Sequence, residues 1–284
     1  MAIAGLVFQK LLVLFLLMLA GLFLAQRQIL TKEVTLQLSK LLTRFVAPSL
    51  FISSFIYQAF TWKKMILLFS MIGAAFFLLI TRIVIVSFLL PKERATDKYA
   101  VLFANVGFMG TPLAFAVGGK EAVFFISGFV VANQIMQWTY GLYLIAQDKT
   151  VINWRSILVN PAMIATVIGL FLFIQPFKLP LVARDAIDAF ADLNTPLSTI
   201  VLGSYFYKVK FKEVFLYWPA YYTAFLRLFV TALISILTIW LLPIHSYPVK
   251  LALSIAVISP AALNTALLSQ VYGGEYEYGS RLVL

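Results

Sequence analysis

Apolar positions along this chain run in long unbroken stretches separated by short polar segments. From residue 4 to 26 the only charge is Lys10. About 20 apolar residues suffice for a helix to cross hydrocarbon. The stretches lack the two-residue alternation of a membrane β-barrel. They predict nine crossings: TM1 at 4–26, TM2 at 36–58, TM3 at 64–90, TM4 at 97–118, TM5 at 121–147, TM6 at 155–175, TM7 at 184–207, TM8 at 213–242 and TM9 at 250–272. The first run is too long for a cleaved signal peptide and has no small-residue cleavage site. The fold class expected is an all-α polytopic membrane protein.

Composition agrees. Of 284 residues, 62% are hydrophobic and 12% charged, and the mean hydropathy is +0.97. Soluble domains carry about 45–50% apolar and 25% charged residues, so a soluble enzyme and a disordered chain are excluded. There is no cysteine and one histidine, His245, so neither a thiolate nor a histidine-based metal site is expected, nor any cofactor. No catalytic constellation or phosphate-binding glycine loop is present, and the chain is not read as an enzyme. The net charge is +11. With no soluble face to carry a basic patch, nucleic acid is not an expected partner. The bilayer is, and surplus cations collect in cytoplasmic loops. Connections after odd-numbered helices, with the tail, hold eleven Lys and Arg, against seven at the N-terminus and even-numbered connections. This predicts an outside N-terminus in a plasma membrane.

Paired landmarks suggest an internal repeat. Pro48 matches Pro196 at an offset of 148, Arg82 matches Arg227 at 145, and Gly118-Gly119 matches Gly273-Gly274 at 155. Five helices per half would make the second copy inverted. The halves expected are 1–147 and 155–284, the second cut short. The tail from Glu275 to Leu284 then reads as the start of a tenth helix, lost or truncated.

Two helices carry breaking residues at matching places. TM4 contains Asn105, Gly107, Gly110, Thr111 and Pro112, and TM9 contains Ser259, Pro260, Asn264 and Thr265. Proline removes a backbone donor and clashes with the preceding turn, and irregular backbone at membrane depth survives only where protein or water satisfies it. Paired interruptions point to a transport site at mid-membrane. Half-helix N-termini crossing there would offer free N–H groups and positive dipole ends to a carboxylate, with Asn105 and Asn264 adding amide donors. Asn133, Gln134 and Gln137 in TM5, with Asn194 and Pro196 in TM7, are expected to support the crossing.

The segment Asn105-x-x-x-Met-Gly-Thr-Pro-Leu113 resembles the TM4 signature of the auxin efflux carrier family. So do Asn160-Pro161, Asn194-Thr-Pro-Leu197 with Gly203, and Ser259-Pro260 through Tyr272-Gly-Gly274. The resemblance implies ten helices in two inverted five-helix repeats, a fold shared with bile-acid sodium symporters. It implies scaffold helices at about 4–58 and 155–207, transport-domain helices at about 64–147 and 213–272, an elevator-like motion between them, and a homodimer through the scaffold. Plant members export indole-3-acetic acid, and many bacterial members are described as malate or malonate permeases. TM5 and TM6 here are joined by only the residues between 147 and 155, unlike the long loop of the plant hormone exporters, which points to a compact bacterial member.

Charges inside the spans add candidates. Lys40 and Arg44 in TM2 correspond in the repeat to Asp188 and Asp192 in TM7. Asp188, Asp192, Arg82 and Arg227 are candidates for coupling or gating, since a charge within the bilayer is paired or functional. The function expected is a secondary carrier of a small organic carboxylate. A proton is favoured over sodium as coupling ion, because no charged side chain lies within the TM4 and TM9 breaks to help a cation bind. A sodium-coupled symporter and a non-transporting receptor or assembly protein of the same fold stay open as alternatives.

Overall fold

The computed structural model describes residues 2–175, 179–208, 218–262, 264–265, 268, 278–279 and 282, without the side chains of 2–7, 10–11, 156 and 208. The glycine pair 273–274, the loop residues 210 and 212, and most of the tail with its expected tenth helix lie outside this set. Three helical stretches among the described residues are long and apolar enough to cross a membrane: Trp62–Leu89, Val106–Ala146 and Trp218–Leu241. Shorter apolar helices at Leu12–Gln26, Pro161–Ile174 and Tyr247–Ile258 accompany them. No strand is found among the described residues. The chain is an all-α membrane protein.

Helix α1 spans Ala2–Gln26. The TM2 region is α2 (Lys32–Leu41), a widened π-turn at Leu42–Val46, and α3 (Ala47–Ile56). Pro48 lies at the start of α3, and the wide turn before it relieves the clash of the ring with the preceding carbonyl. Helix α4 (Trp62–Leu89) is regular and starts at Thr61, whose side chain accepts from Lys64 N–H. Then come α5 (Ala95–Leu102), a π-turn at Val106–Gly110, and α6 (Thr111–Met136). Gly119 in α6 has φ 61° and ψ −157°, a conformation nearly restricted to glycine. The chain doubles back there, because Asn133 returns to bond Ala104. A π-turn at Gln137–Gly141 leads to α7 (Leu142–Ala146).

In the second half, α8 (Trp154–Leu158) and α9 (Pro161–Ile174) meet at Asn160, which caps α9 by accepting from Ala162 N–H at 3.0 Å. The single TM7 span expected at 184–207 is two helices, α10 (Leu181–Asp192) and α11 (Asn194–Tyr205). The helix fails at Leu193 because Pro196 two residues into α11 has no N–H to continue the ladder. Next are α12 (Trp218–Phe225), a π-turn at Leu226–Val230, α13 (Thr231–Leu241) and α14 (Tyr247–Ile258).

Packing follows side-chain size. Helices α1 and α11 touch backbone to backbone: a Cβ on Gly21 would lie 2.0 Å from Ile200 O, and one on Gly203 1.9 Å from Met18 O. Between α3, α6 and α9, Phe55, Phe124 and Phe173 form a ring cluster with centroids 4.8–6.4 Å apart. Outward faces expose bulky apolar groups such as Phe88 and Trp240, as a lipid solvent permits.

Candidate functional site

Helix α5 ends at Leu102 and Phe103 turns extended (φ −102°, ψ 133°). Helix α14 ends at Ile258, and Ser259 also turns extended in ψ (142°). The two interruptions meet. Ala104 and Ala261 form an isolated antiparallel bridge, with Asn105 N–H donating to Pro260 O at 2.8 Å and Ala262 N–H to Phe103 O at 3.0 Å. Donors and acceptors freed by two broken helices therefore satisfy one another, as a buried backbone requires.

The first break lies earlier than the residues suggested. The expectation was unwound backbone from Asn105 to Pro112, but 106–112 is helical. Gly107 and Gly110 belong to a π-turn, whose wider spacing makes room for the Pro112 ring in the helix that continues from it. Asn105 caps this helix, its Oδ1 accepting from Phe108 N–H at 3.3 Å. Thr111 Oγ1 donates to Val106 O at 2.9 Å, and Ser259 Oγ to Ile255 O at 2.8 Å. Both hydroxyls are thus occupied by their own helices.

Beside the bridge is a cavity of about 200 Å³. Seven amide side chains line it: Asn105, Asn133, Gln134, Gln137, Asn160, Asn194 and Asn264, with Val106, Gly107 and Phe108 at the head of the half-helix. Among the described residues, none that lines the cavity is charged. The first N–H groups of a helix have no intrahelical acceptor, and they carry the positive end of its dipole. Asn133 Nδ2 donates to Ala104 O at 3.3 Å. Gln137 Oε1 accepts from Asn264 Nδ2 at 2.8 Å and from Tyr99 OH at 3.2 Å. Helix-embedded amides of α6 and the following π-turn therefore hold the bridge from behind while facing the same space. Asn133 Oδ1, Gln134 Oε1, Trp138 Nε1 and Asn194 Nδ2 are buried without a partner among the described residues, and such groups normally find one in water or a ligand. Thr265 is fully buried, its hydroxyl likewise unpaired. Pro196 supports the wall indirectly by interrupting the helix at Leu193, so that Asn194 opens α11.

Two deep cations stand away from the cavity. Arg82, 1% exposed, donates from Nε to Ser235 Oγ at 2.8 Å and from Nη2 to Val257 O at 2.8 Å. Arg227, 2% exposed, donates to Val101 O at 3.0 Å and to Ser259 O at 2.5 Å. These carbonyls belong to the C-terminal ends of α5 and α14, where a cation offsets the negative dipole end. Neither arginine lines the cavity. Asp188 lies in α10, bonded to Ser53, Tyr57 and Lys120. Asp192 is exposed at the end of α10, and Lys40 and Arg44 are exposed on the outside of TM2.

This geometry accompanies a clear family match. The profile of the family described as membrane transport protein aligns with residues 6–153 and again with 149–284. The chain belongs to the membrane transport protein family. A search of curated proteins returned no match. The family is one of transporters rather than enzymes, and with the apolar helices it makes this chain an integral membrane protein that carries a solute.

Several wall residues of this membrane transport protein carried no signal in the residues. Thr43, Phe51 and Trp138 line the cavity but read as ordinary span residues. Phe103 and Ala104 form the bridge although neither is a helix breaker. Lys120 read as a loop charge, and only its place after Gly118-Gly119 marked it as sitting at a tight turn.

Proposed function

We propose that the chain is a secondary carrier that moves a small organic carboxylate by alternating access. The observation that carries this reading is a cavity lined by amides and a helix N-terminus, without a charged side chain among the described residues, beside a bridge joining two broken helices. Fixed N–H donors and a positive dipole end suit an oxygen anion. In the same reading the cavity lies at mid-membrane between two inverted five-helix repeats. The helices at 64–147 and 213–272 slide as a unit against a scaffold at 4–58 and 155–207 that pairs as a homodimer. Neutral amides without a carboxylate are a poor sodium cage, so a proton is favoured as coupling ion.

The test is uptake into proteoliposomes after a thermal-shift screen of mono- and dicarboxylates. Asn105→Ala removes the cap of the half-helix and an amide donor, and Asn264→Ala removes the bond to Gln137. Each is expected to lower uptake of the stabilising carboxylate at least tenfold while the protein still purifies folded. Normal uptake by both variants removes the proposed site. Equal uptake with and without a sodium gradient is expected, and strict dependence on sodium would replace the proton.

A further inference from the structure

The Asp188 cluster sits toward one end of the spans, whereas the cavity lies about midway along them. Cavity walls include exposed Thr43 and Gly107, Asn160 at the head of α9, and Trp138 in the π-turn of the fifth span. The connections flanking these segments, 27–31 and 147–153, emerge on one face. Ser53 and Tyr57 close the other end of the second span, Lys120 follows the Gly119 reversal, and Asp188 follows the 175–180 connection, all on the opposite face.

There Asp188 is gripped from two separate elements. Its Oδ1 accepts from Ser53 Oγ at 2.5 Å and from Lys120 Nζ at 2.9 Å, and its Oδ2 from Tyr57 OH at 2.5 Å. The Lys120 ammonium also lies 3.5 Å from the centroid of the Tyr57 ring, within cation–π range. Lys120 is not part of the wall that holds Asp188. It belongs to the tip of α6, which packs on α14: a Cβ on Gly118 would lie 3.1 Å from Leu251. The ion pair thus ties the unit bearing both broken helices to α3 and α10. The side chains of Lys120 and Asp188 are 27% and 21% exposed, so water reaches the pair and can hydrate both charges when they part.

We propose that Lys120, Asp188 and Tyr57 form a gate between the cavity and the face bearing 58–61, and that it parts when the cavity opens to that face. The gate rests on the carrier reading, but its test needs no solute. The chain has no cysteine, and a Cβ on Gly107 meets nothing within 4 Å, so Gly107→Cys is a clean reporter inside the cavity. In vesicles, a membrane-impermeant maleimide should label it from the face bearing 147–153 and scarcely from the other. Adding Lys120→Met or Asp188→Asn should raise labelling from the other face about tenfold. The exchange Lys120→Asp with Asp188→Lys should return it toward the starting level, which a merely structural effect would not do. Should Asp188→Asn not reach the membrane, Lys120→Met carries the test alone. Labelling from that face unchanged by the variants overturns the gate, as does an exchange that behaves like the single changes. Labelling that opens as expected in a protein that moves no carboxylate keeps the gate and removes the solute assignment.

Discussion

Arg82 and Arg227 are both buried in apolar helices, and neither has a carboxylate partner among the described residues. Arg82 projects from the regular helix α4 and holds groups on the α13–α14 side, Ser235 and Val257. Arg227 projects from a π-turn and bonds two helix ends at once, Val101 of α5 and Ser259 beyond α14. A buried cation need not be matched by an anion when several oriented carbonyls surround it. The cation that spans both interrupted helices also sets their separation, which the other does not.

The largest expected effect tests that difference. Arg227→Met leaves two buried carbonyls unpaired and removes two charge-assisted hydrogen bonds, each worth about 1.5–3 kcal/mol. Unfolding in detergent should show a loss on the order of 3–5 kcal/mol, and stabilisation by carboxylate should vanish because the bridge loses its clamp. Arg82→Met also gives up two charge-assisted hydrogen bonds, so it should cost a similar amount, about 3–5 kcal/mol, but leave the carboxylate response in place, since its partners lie on one side of the crossing. A carboxylate response lost in both variants would erase the distinction. A smaller effect comes from the glycines of the first half. Gly119→Ala forces a side chain into glycine-only backbone at about 1–3 kcal/mol, whereas Gly107→Ala, in open space within a helix, should change the melting temperature little. A melting curve for each decides whether the reversal, rather than glycine as such, holds the first half in place.

Much of the architecture was readable from the residues. Apolar runs located the helices, and Pro260 and the Asn105-to-Pro112 segment marked where regular helix ends. The first break still fell on Phe103 and Ala104, because a π-turn lets Pro112 stay inside a helix and passes the interruption to its neighbours. Asn133 and Gln137 were readable as supports, since amides within an apolar span need partners. Their partners, Ala104 O and Asn264, were not. Asp188 was readable as a candidate for coupling or gating and Lys120 as a loop charge, but not their pairing, because nothing local in either segment states that residues 68 apart share a hydrogen bond.

By itself the sequence determined the solvent and the helical character of this protein. Runs of some twenty apolar residues have no stable home in water and must bond their backbone internally in lipid. Only the tertiary structure decided where the few buried polar groups end. The Ala104–Ala261 bridge, the arginine clamps and the amide-lined cavity join residues from distant segments, and such contacts form when those segments pack together, not from any local pattern.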